Sequence, residues 1–256
     1  MTGRLEGKTA LITGGSRGIG RAIAQRLATD GALVAIHYGG NDAAANETLK
    51  AIEQAGGQTF LVKAEFGVNG DVDALFSKLE KGLAGRPLDI LVNNAAVAPQ
   101  IALAETTPEE FNRIFAINVR APFFIIQRAL PLMADGGRII NISSGVTWFA
   151  MPATVYSMTK GALNVLSRSL ANSLGDRNIT VNTISPGITD TDMNPSIRDK
   201  NAGAIDRVAA MTALGRPGRA ADIADAVAFF ASDDARWITG QTLDVNGGLF
   251  LGPRDQ

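Results

Sequence analysis

Cysteine is absent from the 256 residues, and histidine occurs once, at position 37. Without cysteine there are no disulfides, no zinc–thiolate centres and no thiol nucleophiles. With one histidine, a Ser-His-Asp triad or a histidine-based zinc site would have to rest on His37 alone. That residue sits at the end of an expected strand and reads as a partly exposed loop histidine, so no metal site is expected. Acid–base chemistry then falls to tyrosine, lysine or carboxylates, and there are two tyrosines to choose from. A dominant charge sign is also missing. The net charge is −1, which argues against nucleic acid or an anionic membrane surface as a partner. No apolar run reaches the roughly 20 residues that span a bilayer, and residues 1–7 carry no signal-type apolar region. A soluble cytoplasmic protein is expected.

What is present is a strong alternation. Hydrophobic residues make up 46% of the chain and charged residues 19%, enough to bury a sizeable core. Strands are expected at 9–13, 33–37, 58–63, 88–92, 138–142, 180–184 and 242–245. Helical patterns fall between them at 19–29, 42–55, 72–83, 108–133, 155–175 and 220–232. Regular strand–helix alternation predicts an α/β fold, one doubly wound parallel sheet with helices on both faces. Ile90-Leu91-Val92 is too uniformly apolar to have a wet face. No linker or repeat interrupts the pattern, so residues 1–256 are expected to form one domain. Residues 190–214, polar and weakly periodic, are expected to be a substrate lid.

The stretch Thr13-Gly14-Gly15-Ser16-Arg17-Gly18-Ile19-Gly20 lies between the first expected strand and the first helix. Glycines there permit a tight turn and let backbone N–H groups approach a phosphate at a helix N-terminus. A second pattern is Tyr156 and Lys160, four residues apart and so on one helix face. At about 4 Å and an effective dielectric of about 20, their interaction is about 4 kcal/mol. That would lower the phenol by up to about three pH units, an upper bound because burial opposes it. Ser143 and Ser144 end a strand at the sheet's carboxyl edge, where a hydroxyl could hold a carbonyl oxygen as it gains charge.

Together these motifs resemble the short-chain dehydrogenase/reductase family over essentially the whole chain. Beside the glycine loop stand Asn93-Asn94-Ala95-Ala96, Asn118, the Ser-Tyr-Lys set, Pro186-Gly187 with Thr191, and Val245-Asn246-Gly247-Gly248. The chain is also similar to the family's 3-oxoacyl-carrier-protein reductases. The resemblance implies a Rossmann-like fold with seven parallel strands and a nicotinamide dinucleotide. It implies Tyr156 as proton carrier, Lys160 on the nicotinamide ribose, a serine orienting the carbonyl, and Asn118 anchoring a relay water. Asn93 and Ala95 would lie along the cofactor. Pro186 and Gly187 belong to the same binding set, and Ile188 and Thr191 would lie near the carboxamide and phosphates. Glu65 stands where the family usually has an aspartate at the adenine. The family's serine lies thirteen residues before the tyrosine, which fits Ser143 (156 − 143 = 13). Ser144 instead keeps the place relative to the strand and is the expected catalytic residue, with Ser143 the alternative.

The end of the second strand carries Tyr38 and Gly39 where NAD users have an acid, which removes a barrier to a 2′-phosphate. Arg17 can pair with that phosphate, so NADP(H) is expected rather than NAD(H), with Gly14, Ser16, Gly18, Ile19 and Gly20 cradling the pyrophosphate. The expected reaction is hydride transfer between nicotinamide and a small-molecule ketone or secondary alcohol. Ala96, Val97, Pro99, residues 145–151 with Trp148 and Phe149, and Met193 are candidates to face the substrate. A 3-oxoacyl thioester is a favoured subcase, with Arg168 and Arg177 as a landing patch for an acidic carrier. A sugar- or steroid-like alcohol dehydrogenase and a catalytically silent cofactor sensor or scaffold remain as alternatives. The resemblance implies a homotetramer.

Overall fold

The computed structural model describes residues 3–194, 197 and 203–252. Seven strands follow the expected alternation: β1 (Thr9–Ile12), β2 (Leu33–Tyr38), β3 (Gln58–Lys63), β4 (Leu88–Asn93), β5 (Met133–Ile142), β6 (Thr180–Pro186) and β7 (Thr242–Val245). The main helices are α1 (Gly18–Thr29), α2 (Asp42–Gln54), α3 (Asp71–Leu83), α4 (Pro108–Phe115) and α5 (Ala121–Ala129). They continue with α6 (Thr154–Ser173), α7 (Ala204–Met211) and α8 (Ala220–Ala231). All pairings are parallel, in the order β3-β2-β1-β4-β5-β6-β7. This is the doubly wound, Rossmann-like sheet that the periodicity predicts. The order reverses between β1 and β4, and a ligand crevice belongs outside the carboxyl ends of strands at such a reversal.

Alternation along each strand divides the core. Ile12, Ile36, Ile90 and Ile140 pack with Ile23 and Leu27 of α1 and Val227 and Phe230 of α8. Their strand neighbours Leu11, Ala35, Leu91 and Ile139 face Leu75, Phe76 and Leu79 of α3 and Ile125 of α5. Successive side chains of a strand point to opposite faces, so a run apolar throughout is buried on both.

The expected helical region around 108–133 is helical without interruption from Pro108 to Ala129, and only its far end is a correction. The region is α4, then a π-helical turn (Ala116–Arg120), then α5, and Met133 already belongs to β5. Pro122 is the local cause: it has no N–H to continue the ladder of the preceding turn, and a π-turn absorbs the mismatch. Within 190–214, residues 195, 196 and 198–202 lie outside the described residues. The remainder contains α7, after which Thr212 bridges to Leu249. Among the described residues, no helix is long and apolar enough to cross a membrane, and no cluster of His, Cys, Asp or Glu is placed to hold a metal ion.

Candidate active site

Thr13 leaves β1 and anchors the glycine loop. Its Oγ1 accepts from the N–H groups of Asn94 at 2.9 Å and Ala95 at 3.0 Å. The Asn94 amide donates back to the carbonyls of Thr13 at 2.9 Å and Gly14 at 3.1 Å. Gly14 has φ +64° and Gly18 φ +54°, left-handed conformations that glycine adopts without strain. At Gly20 the reason is space, because a Cβ would stand 2.1 Å from the Gly14 carbonyl oxygen. The loop therefore closes on its own backbone and delivers the α1 N-terminus, where no side-chain cap occupies the first N–H groups. Such a terminus suits an anion.

Gly14, Ser16, Arg17, Gly18, Ile19 and Gly20 line one groove with Tyr38, Gly39, Glu65, Ala95 and Thr191. Asn93 is a correction. Its side chain is buried and turned inward, donating to Asn141 Oδ1 at 2.8 Å. Asn141 donates to Ser167 Oγ at 2.8 Å, which also accepts from Thr183 at 2.7 Å. Asn93, Asn141 and Thr183 are register partners on β4, β5 and β6, so all three point to the same face, toward α6. Strand alternation therefore gives the groove wall to Asn94, not Asn93.

His37 is the second correction. It is 2% exposed rather than partly exposed, and burial holds it neutral, its pKa lowered from 6.5 to about 4. Beside it, the Tyr38 hydroxyl donates to Asp42 at 2.8 Å, and Lys63 binds both Asp42 oxygens at 2.9 and 2.8 Å. The acid nearest the end of β2 is thus matched by a cation, while exposed Arg17 makes no ion pair among the described residues.

A second cavity adjoins the groove, sharing Ile19, Asn94, Ala96, Thr191 and Met193 with it. Ser143, Ser144, Tyr156, Lys160, Pro186, Gly187 and Ile188 line it. The two serines diverge as neighbouring residues at a strand end must. Ser143 Oγ donates to the Lys160 carbonyl at 3.0 Å, whereas Ser144 shares the cavity lining with Tyr156, near enough that its hydroxyl lowers the phenol's pKa. Lys160 lies under the Tyr156 ring, its Nζ 5.6 Å from the centroid and donating to the Ile142 carbonyl at 2.7 Å. The expected depression of the phenol is overturned here. Burial raises the Tyr156 pKa, and the Ser144 hydroxyl offsets part of that rise. Burial also lowers Lys160 to about 8. Desolvation penalises both charged forms, and the ammonium points at a carbonyl rather than at the phenol oxygen.

Asn118 sits buried in the π-turn. Its Oδ1 accepts from Val97 N at 2.9 Å, and its amide donates to Val97 O at 2.9 Å and Thr159 Oγ1 at 3.1 Å. Both amide protons are committed to bracing the loop after β4, so no side-chain proton is left for a relay water. The far wall of the cavity is apolar: Val146, Phe149, Met151 and Met193. Phe149 belongs to an aromatic cluster, its ring edge-on to Trp148 at 5.2 Å and tilted against Phe250 at 4.9 Å. Asn94, His37 and Lys63 are the contributors that sequence reasoning missed. Asn94 stood inside a motif already flagged, whereas His37 and Lys63 carried no spacing signal.

A family model described as enoyl-(acyl carrier protein) reductase matches residues 14–250. The promiscuous reductase LugOII, which catalyses keto-reduction at C1 during lugdunomycin biosynthesis, is 52% identical. Its solved structure superposes with a TM-score of 0.93 over 97% of this chain and 100% of that one. The landomycin C-6 ketoreductase LanV, solved with bound NADP and rabelomycin, is 51% identical with a TM-score of 0.90 over 98% and 99%. The 3-oxoacyl-[acyl-carrier-protein] reductase FabG of Staphylococcus aureus is 36% identical over 247 residues, 95% of this chain and 98% of the relative.

Proposed function

The chain belongs to the short-chain dehydrogenase/reductase family of oxidoreductases, and from that premise we propose that it is an NADPH-dependent ketoreductase whose substrate carries its ketone on a flat, fused-ring aromatic body. The observation that carries the reading is the meeting of Ser144, Tyr156 and Lys160 in one cavity, with Phe149 in its wall, where that cavity adjoins the glycine-loop groove. The glycine cradle fits a dinucleotide, since the loop lines an open groove and delivers the uncapped N-terminus of α1 to it. Gly14, Ser16, Gly18, Ile19 and Gly20 would hold the pyrophosphate. Tyr38, Gly39, Glu65 and Ala95 would flank the adenosine, and Pro186, Gly187, Ile188 and Thr191 the nicotinamide end. When bound, the nicotinamide supplies the hydride.

The protein's own residues do the rest. Ser144 Oγ and the Tyr156 hydroxyl converge on one point and orient the ketone oxygen by two hydrogen bonds. As the carbonyl carbon is reduced, the proton on the Tyr156 hydroxyl passes to that oxygen, giving the alcohol and a phenolate. The phenolate can accept from Ser144 and gains attraction from the buried Lys160 ammonium, which is worth more away from water. Val146, Phe149, Met151 and Met193 exclude water, and Phe149, braced by Trp148 and Phe250, offers a ring against which a planar substrate can pack. Residues 190–214 would serve as a lid of the single 1–256 domain.

The fused-ring reading is favoured over the carrier-thioester reading because, of the two landing cations, only exposed Arg168 is open to a carrier and Arg177 is already engaged. Arg177 is held by Asp135 at 2.9 Å and by the carbonyls of Leu130 and Met133. A ketone panel assayed with NADPH tests this. A kcat/KM for fused-ring aryl ketones at least about tenfold above that for a 3-oxoacyl thioester supports it, and the reverse order overturns it. Arg17 sets the cofactor preference. Losing a charge-assisted bond to the 2′-phosphate costs about 1.5–3 kcal/mol, so Arg17→Ala should lower kcat/KM for NADPH about 10- to 100-fold and barely change NADH. Equal losses for both cofactors would refute the assignment.

The protein would work as a cytoplasmic homotetramer. Phe123 and Phe124 on α5 and Val165 on α6 are exposed, as is Leu243 on the edge strand β7, giving apolar surface on two separate sides. Light scattering at four chain masses supports this, and one chain mass overturns it.

A further inference from the structure

We propose that His37 is a positioning residue that sets the shape of the glycine loop by spacing Gly14 from the end of β3. Both ring nitrogens are used. Gly14 N–H donates to Nδ1 at 3.1 Å, and Nε2 lies 2.9 Å from the Ala64 carbonyl. A backbone N–H can only donate and a carbonyl can only accept, so one neutral tautomer, protonated at Nε2, satisfies both contacts. The ring is clamped between its partners by Phe66, stacked at 4.1 Å and 12°. The backbone adds a third tie, Gly15 N–H donating to the His37 carbonyl at 2.8 Å.

The consequence is directional. Gly14, Ala64 and Phe66 all line the dinucleotide groove, Gly14 from the glycine-loop side and Ala64 and Phe66 from the β3 side. A rigid ring bonded at both ends fixes the gap between those sides, and a flexible chain would not. Gly14 is also the residue whose carbonyl meets Gly20, so a shift at Gly14 reaches the α1 N-terminus. With both nitrogens engaged, His37 has none left for the reacting atoms and acts through Gly14. Its burial, which keeps the ring neutral, maintains Nδ1 as an acceptor. This inference rests on the dinucleotide reading of the groove.

Titration of NADPH binding by fluorescence, with steady-state kinetics on the same proteins, tests it. His37→Phe keeps the ring's size and its stack on Phe66 but removes both bonds. NADPH Kd should rise about tenfold or more, while kcat at saturating NADPH and KM for the ketone stay within about twofold. His37→Asn, whose amide oxygen can take the Nδ1 place, should recover most of the affinity. His37→Gln, which reaches toward Ala64 but not Gly14, should not. If His37→Phe does not fold, the Asn-against-Gln comparison decides alone. A His37→Phe variant that binds NADPH like the wild type, or Asn and Gln variants equally weak, overturns the proposal. Wild-type protein that binds no NADPH overturns the dinucleotide reading and this inference with it, whereas tight wild-type binding with an unchanged Phe variant overturns this inference alone.

Discussion

Tyr156→Phe should lower kcat about 10³-fold while leaving NADPH Kd within about twofold, measured by stopped-flow oxidation of NADPH with a saturating ketone. A positioned proton donor contributes about 10²–10⁴-fold. The phenylalanine ring keeps the cover over Lys160, whose Nζ lies 5.6 Å from the ring centroid, so what is lost is the hydroxyl and its proton. Ser144→Ala removes one of two bonds to the ketone oxygen and should cost about 10²-fold. Ser143→Ala is the control. Its hydroxyl serves the Lys160 carbonyl, away from the substrate, and a loss of no more than about threefold is expected. A dead Ser143→Ala beside an active Ser144→Ala would reverse the assignment, and a Tyr156→Phe variant retaining about a tenth of the rate would remove tyrosine from the proton's path.

The second large effect is at Gly20. An alanine there places its Cβ 2.1 Å from the Gly14 carbonyl oxygen and 2.6 Å from Asn94 Nδ2. The oxygen is backbone and cannot swing aside, so the loop must open. Overpacking of this kind costs about 1–3 kcal/mol, and it falls on the segment that binds phosphate. Gly20→Ala is expected to weaken NADPH binding about 100-fold by isothermal titration. Gly161→Ala on α6 is the matched control, because a Cβ there meets nothing within 4 Å. In a helix it should raise stability by about 0.5–1 kcal/mol, with cofactor affinity unchanged. If the two variants bind NADPH equally, the crossed loop is not what shapes the site.

The sheet and the glycine loop were legible because both are written in local spacing. Apolar runs such as Ile90-Leu91-Val92 announce a strand buried on both faces, and a glycine set between strand and helix announces a phosphate turn. Tyr156 and Lys160 were legible for the same reason, as two side chains one helical turn apart. What was not legible depends on contacts distant in sequence. The fate of Asn93 is decided by Asn141 and Thr183, 48 and 90 positions on (141 − 93; 183 − 93). His37 is decided by Ala64 and Phe66 on another strand's exit. The π-turn at 116–120 turns on Pro122, whose consequence a hydrophobic repeat does not register. The Tyr156–Lys160 electrostatics failed on burial, which reversed the sign that spacing alone suggests.

The inward row of Asn93, Asn141, Ser167 and Thr183 constrains how this protein can drift. Each member is buried, and each except the end residues serves two neighbours. Exchanging Asn141 for leucine would orphan the Asn93 amide, at about 1–3 kcal/mol for a polar group left unsatisfied, and leave Ser167 with Thr183 alone. Replacing all four by apolar residues of matching volume avoids that penalty. The row therefore forms one heritable unit, passable as a set but blocked one residue at a time, and it ties the ancestry of three strands and a helix together behind the substrate cavity.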